Sequence, residues 1–251
     1  MKITRHGHLV QVSFMPRLFP VNCYLIEEGE GCTLIDAALP YSAEGILRAA
    51  AETTGKPLTR IVLTHAHDDH VGALDALKAK HPELEVYISA RDARLLEGDI
   101  SLDPEEAQTP IRGGVPKKLK TRADVLLKDG DRIGSLQVIS TPGHTPGSIS
   151  LLDTRSGALV AGDAFQTRGG IAVSGMLRPL FPFPALATWS AETALASARK
   201  LAALKPALLA AGHGRIIDHP ADAMRRAIEQ AERKLETAGK GEGRYVAKSG
   251  D

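Results

Sequence analysis

Six consecutive residues, His65-Ala66-His67-Asp68-Asp69-His70, place three imidazoles and two carboxylates within reach of one point. Grouped without a partner, such side chains repel one another when protonated and forgo hydrogen bonds when buried. A divalent cation removes both penalties. Nitrogen and carboxylate donors suit zinc best, and iron or manganese can take the same ligands. Three further donors follow downstream: His144 in Thr141-Pro142-Gly143-His144-Thr145-Pro146-Gly147, Asp163 in Leu159-Val160-Ala161-Gly162-Asp163, and His213 in Ala210-Ala211-Gly212-His213. Each stands directly after a glycine, which permits close approach at a crowded site. Singly, each is an ordinary turn residue. Together with the six-residue stretch they supply five histidines and two aspartates, His65, His67, Asp69, His70, His144, Asp163 and His213, enough for two cations. Asp68 is left out of this set.

The elements around these residues explain how they could converge. Arg60-Ile61-Val62-Leu63-Thr64 is a short β-branched run that reads as a buried strand, and Val71, Leu74 and Leu77 recur at helical spacing. The histidine stretch therefore sits on a strand-to-helix turn, and the three later donors end predicted strands as well. Upstream, strands are expected over 9–15, 22–27 and 32–36, followed by a helix from Ser42 to about Thr54 closed by Gly55. Residues 125–140 read as a hairpin turning at Asp129-Gly130-Asp131, with helices over 192–204 and 221–237 later. Residues 98–121 are rich in Pro and Gly and show no period, which in a compact domain marks a functional or mobile loop. Strand runs with interleaved helices, repeated in two halves, suggest two facing sheets with helices outside. No linker divides the chain, so the expectation is one domain over 1–251, with a core of about 3–237 and a flexible tail over 239–251.

With 251 residues, 43% of them hydrophobic, the chain can bury a core without disulfides or metal staples, so a metal would serve chemistry more than folding. A formal net charge of +1 offers no global field for nucleic acid or an anionic membrane. No apolar run reaches the ~18 residues needed to span a bilayer and no signal pattern opens the chain, so a cytoplasmic protein is expected. Cys23 and Cys32 fall out of register on neighbouring strands and read as free thiols. Asp36, ending a strand, is a candidate acceptor behind a ligand imidazole.

The ordered set H-x-H-x-D-H, then a His, an Asp and a His on later strand ends, resembles the metallo-β-lactamase-fold hydrolases, over about residues 3 to 237. The resemblance implies an α/β fold, a four-layer αββα sandwich with the metals at one edge of the paired sheets. It also implies a division of ligands: His65, His67 and His144 on one cation, Asp69, His70 and His213 on the other, with Asp163 bridging. The spacing agrees, because residues 65 and 67 share a side of an extended segment while Asp69 and His70 enter the helix.

The expected chemistry is hydrolysis by a hydroxide generated between two cations, with Asp69 passing a proton to the leaving group. Within the superfamily the pattern looks most like the glyoxalase-II-like and lactonase-like branch, so the expected substrate is a small ester, thioester or lactone. True glyoxalase II carries a Lys- and Arg-rich tail for glutathione that is not evident here. Phe165, Phe181, Phe183 and Trp189 gather between 164 and 189 in a chain that is only 4% aromatic, and are expected to wall an apolar substrate. The alternative role for that segment is local packing, or an interface between two copies in a homodimer. A metal-dependent phosphodiesterase or nuclease would use the same metals but calls for a basic groove. A di-iron redox protein of this fold typically loses a site histidine, and a non-catalytic binding module loses ligands; here all are retained.

Overall fold

The chain opens with a meander of four antiparallel strands, β1 (Lys2–His6), β2 (Leu9–Phe14), β3 (Val21–Glu27) and β4 (Cys32–Ile35). A helix is needed to bring the next strand back parallel. Helix α1 (Ala43–Thr54) does so, closed by Gly55 at φ 63°, and β5 (Leu58–Val62) pairs parallel with β4. Two short helices, α2 (Asp68–Val71) and α3 (Leu74–Lys80), lead to β6 (Glu85–Ser89); α4 (Ala90–Leu96) and a long loop lead to β7 (Val125–Leu127). These seven strands form one sheet in chain order. The computed structural model describes the backbone of residues 1–246 and the side chains of residues 1–237.

The second sheet holds β8 (Arg132–Ile133), β9 (Leu136–Ser140), β10 (Ile149–Asp153), β11 (Ala158–Val160), β14 (Leu208–Ala210) and β15 (Ile217–Asp218), in the order β15-β14-β11-β10-β9-β8. Between β11 and β14 run a small hairpin, β12 (Phe165–Gln166) and β13 (Ala172–Val173), the turn of helix α5 (Phe183–Leu186), and α6 (Ala191–Ala203). Helix α7 (Ala221–Val246) closes the described chain.

Three apolar layers join these parts into an αββα sandwich. Strand β3 shows why: Cys23 and Leu25 join the layer between the first sheet and its helices, while Tyr24 and Ile26 point into the layer between the sheets. A strand buried on both faces reads as mostly apolar, since alternate side chains face opposite ways. Ile46, Leu74, Leu77 and Leu95 cover the first sheet, and Leu195, Leu201, Met224 and Ile228 cover the second. Each such fully buried side chain contributes about 1.5–3 kcal/mol.

Several expectations are corrected. Residues 125–140 are not one hairpin: β7 pairs with β6 in the first sheet, and the chain crosses at 128–131 into the second, where the tight turn is Gly134-Ser135. The reason is that Leu127 and Ile133 both need the inter-sheet core, which a single hairpin on one sheet would not give them. Ser42 precedes α1, but its hydroxyl accepts from Leu39 N–H rather than capping the helix. The edge strands β1 and β15 carry polar residues and went unread. Helix α7 extends beyond the expected end at 237 to Val246; of the tail expected over 239–251, residues 247–251 lie outside the described residues. Cys23 and Cys32 are free and buried.

Candidate metal centre

All seven donors lie at strand ends on one rim of the sandwich. The segment after strand β5 delivers His65 and His67, the latter in extended backbone, and Asp69 and His70 then lie on the single turn of α2. His144 follows β9, Asp163 sits on a 3₁₀ turn (Gly162–Ala164) after β11, and His213 follows β14. Four donors come from one sheet and three from the other.

The structure gathers these donors. The donor atoms of His65, His67 and His144 lie within 4.8 Å of one another, as do those of Asp69, His70 and His213, and those of His65, His70 and Asp163. Asp163 sits between the first two groups: its Oδ2 is 3.3 Å from His144 Nε2 and 3.2 Å from His213 Nε2, and its Oδ1 is 3.6 Å from His70 Nε2. His67 Nδ1 and His144 Nε2 stand 2.9 Å apart, and Asp69 Oδ2 is 3.4 Å from His213 Nε2.

Each imidazole is anchored by the nitrogen that faces away from this point. His70 Nδ1 bonds Asp36 Oδ2 at 2.8 Å, His65 Nδ1 meets Thr64 Oγ1 at 3.0 Å, and His213 Nδ1 meets the Pro20 carbonyl at 2.7 Å. His144 Nδ1 meets Ser174 Oγ at 3.1 Å. His67 is turned the other way, with Nε2 on the Arg112 carbonyl at 2.9 Å and Nδ1 inward. Such outer partners fix ring orientation and choose which nitrogen is left for a cation. Asp36 thus stands behind His70 and also accepts from Thr64, joining two ligand rings through one carboxylate.

Whether these residues fit a cation is tested by what they leave unsatisfied. His65 Nε2, His70 Nε2 and Asp163 Oδ1 are fully buried and have no hydrogen-bond partner among the described residues. Buried polar atoms are costly without partners, so three of them converging on one space fit a missing cation rather than a packed core. The titration pattern has the same origin. Burial alone would push His70 down, but Asp163, Asp36 and Asp69 outweigh it and hold it up at about 10. His213 is raised against burial by Asp163. Burial, with the neighbouring imidazoles, holds His65 well below its ordinary value and brings His144 down to about 3. Burial would raise the Asp163 carboxyl, but His213, His70 and His144 hold it well below the usual range. The carboxylates that would share a cation are the same groups that favour the protonated forms of His70 and His213.

Glycine at 212 is required here: a Cβ would run into Asp163 Oδ1 and lie 2.6 Å from His70 Cε1. Two side chains that the sequence did not flag also shape the site. Asp92, on the first turn of α4, is buried and accepts from Ala66 N–H at 3.0 Å, Thr145 Oγ–H at 2.7 Å and Gly147 N–H at 2.8 Å. One carboxylate therefore ties the His65–His67 segment to the His144 loop across the two sheets; burial raises it to about 6. No motif announces it, because an acid on a helix's first turn reads as a dipole partner. The second is Phe19, in the loop between β2 and β3, whose ring lies 5.4 Å from that of His213.

Phe19 shares a cleft of about 360 Å³ with Phe183, Pro184, Leu186 and Ala187, and the opposite wall is His67, Asp69, His144, Asp163 and His213. Of the aromatic residues expected there, only Phe183 lines it. Phe181 is buried behind His213, its ring 5.3 Å away. Phe165 lies in the core under α6 and α7, because β12 turns it inward. Trp189 is buried as a strut: Nε1 donates to the Thr109 carbonyl at 3.0 Å and its backbone N–H to the His144 carbonyl. Trp189 thereby holds the 98–121 loop, which Arg91 also clamps through Glu106 and Asp75 through Thr121. The loop tip caps His67, and Asp68 stands exposed beside it, donating its N–H to the Gly114 carbonyl. His6, His8, His81 and His219 lie outside the cluster.

An αββα sandwich with imidazole and carboxylate donors converging at one rim defines a metal-binding protein of hydrolase type. The sequence pattern of the Metallo-beta-lactamase superfamily matches residues 16–213, and the chain belongs to that superfamily. The uncharacterized protein YobT of Bacillus subtilis is 56% identical over 233 residues, 93% of this chain and 100% of its own length. The probable metallo-hydrolase YflN of Bacillus subtilis is 34% identical over 230 residues, covering 83% of each chain. Among solved structures, TTHA1623 in a di-iron-bound form matches with a TM-score of 0.59 and 31% identity, over 85% of this chain and 96% of that one. Among the described residues no helix is long and apolar enough to cross a membrane.

Proposed function

We propose that this protein hydrolyses a small, uncharged ester, thioester or lactone with an apolar portion, using two divalent cations, with zinc the expected metal and iron, held by the di-iron relative, the alternative. The observation that carries this reading is the composition of the cleft. One wall is imidazole and carboxylate, the other is Phe19, Phe183, Pro184, Leu186 and Ala187, and among the described residues no Lys or Arg lines it. An acyl chain or apolar leaving group gains from the second wall by leaving water. A phosphodiester or a glutathione thioester calls for basic side chains beside the metals, and the described lining of this cleft has none, so both are disfavoured.

His65, His67 and His144 would hold one cation, Asp69, His70 and His213 the other, with Asp163 shared. When bound, such cations lower the pKa of water from 15.7 towards about 7 and offset charge on a polarised oxygen. The chain's own groups do the rest. The apolar wall orients the substrate and excludes water from the leaving-group side. Asp69, with a side chain 27% exposed and facing the cleft, is the group placed to hold a proton and hand it to the leaving group. Asp36 and the Arg112 carbonyl keep His70 and His67 in the tautomers that leave their inward nitrogens free.

The test is metal analysis of the purified protein followed by a panel of p-nitrophenyl esters of increasing chain length, an S-acyl thioester, a lactone and bis(p-nitrophenyl) phosphate. Turnover of the acyl substrates, rising with chain length and abolished by a chelator, is expected. Turnover of the phosphodiester alone would sink the reading.

A further inference from the structure

A second cavity, of about 500 Å³, opens at the β1 edge of the sandwich on the far side of the His213 segment. Its floor begins in the sheet register. Lys2 pairs with Ser13 and Ser13 with Asn22, so all three share one face, with Gln11 two residues along. That face looks across to the loop after β14, where Gln11 Nε2 and Asn22 Nδ2 both donate to the Gly214 carbonyl at 2.9 and 2.8 Å. A row of polar side chains between two sheets is unusual, because this position normally belongs to the apolar core. Gln11 and Ser13 line the cavity at only 6% exposure, and Ser13 Oγ makes no hydrogen bond among the described residues. The rim adds Lys2, Arg168 and Arg215; among the described residues no Asp or Glu lines the cavity. Three cations without a counter-charge around a polar, half-enclosed floor form a positive field focused by low-dielectric walls.

We infer that this cavity is a binding site for a small organic anion, held through a phosphate or carboxylate group by Lys2, Arg168, Arg215 and the Ser13 hydroxyl, and separate from the metal centre. Its volume lies in the range of small-molecule sites, above what a bare inorganic ion fills. Arginine suits either group, since its planar fork matches two oxygens at once. The site shares a wall with the metal centre without sharing donors. Pro20, whose carbonyl anchors His213 Nδ1, and Thr167, whose N–H and hydroxyl both bond the His213 carbonyl, line it as well.

The experiment titrates the metal-loaded protein with glycerol 3-phosphate, succinate and, as the neutral control, glycerol, by calorimetry and by amide chemical shifts. The expected result is binding of at least one anion and none of glycerol, weakened by sodium chloride as the charges are screened. The shifts should centre on Thr167, Gly169, Gly170 and Ser13, and a Lys2→Glu/Arg215→Glu variant should bind at least about tenfold more weakly. Which anion wins separates a phosphate from a carboxylate ligand. The inference is overturned if neither anion binds. It is equally overturned if shifts centre on Gly113 and Gly114 while the variant binds normally, which puts the anion on the metals. Should the double variant fail to fold, the shift map on the unaltered protein decides alone.

Discussion

On one wall of the cleft every imidazole is held at its outer nitrogen by Asp36, Thr64, Arg112, Ser174 or Pro20, and the five imidazole residues are at most 2% exposed. On the facing wall Phe183 is 53% and Leu186 61% exposed, and both ride on α5, a helix of a single turn. The first wall is over-determined, with four of its five imidazoles gripped from behind by a distant segment of the chain. The second is a short segment leaning on neighbours. On the proposed function the difference separates two tasks: chemistry demands sub-ångström placement of a few groups, whereas substrate choice would rest on loosely held apolar surface that can vary without disturbing the donors.

The contrast can be broken most directly at the gripped wall. His65→Ala or Asp163→Ala removes a central donor; metal analysis should show loss of cation, and activity should fall at least about a thousandfold while circular dichroism stays native. Phe165→Ala tests the corrected placement of that ring. It should lower stability by about 3–5 kcal/mol in a denaturant titration, with no selective change in chain-length preference, because its ring is core and not wall. Asp36→Ala should weaken metal affinity about 10–100-fold by chelator competition, an effect transmitted through His70 rather than by a lost ligand.

A gentler probe is pH. His70 in the metal-free protein keeps its proton up to about pH 10, so a cation must displace it. The metal-free form binds more protons than the loaded form, so the association constant should rise about tenfold per pH unit for each proton released, and fall on acidification. An affinity independent of pH between roughly 6.5 and 8 would contradict this assignment of protons. The smallest effect is expected on the loose wall: Phe183→Ala should raise KM for long-chain esters roughly fivefold, about 1 kcal/mol of partial burial, with kcat and metal content unchanged.

Legibility followed the same division. The ligand turn after β5 and the later donors after β9, β11 and β14 could be read because imidazoles and acids following β-branched runs are rare and their types name their chemistry. Asp36 could be read for the same reason. Asp92 could not, since its role depends on three backbone or hydroxyl donors brought from 26 to 55 residues away. The aromatic wall was misread because an aromatic side chain says that it will be covered, not by what. Phe165 and Trp189 were covered by helices and a loop, while Phe19, next to Pro20 in a different loop, joined Phe183 in lining the cleft. The hairpin at 125–140 failed because a turn signal cannot tell a return within one sheet from a step to another.

Because β5 and α2 bring four donors and β9, β11 and β14 bring three, neither sheet by itself owns a complete coordination sphere. Cation uptake should therefore report docking: a chain whose sheets had each formed but not yet met would lack the full set of donors. Time-resolved refolding followed with a chromophoric metal should show capture as the last event, after the helices have already appeared in the far ultraviolet.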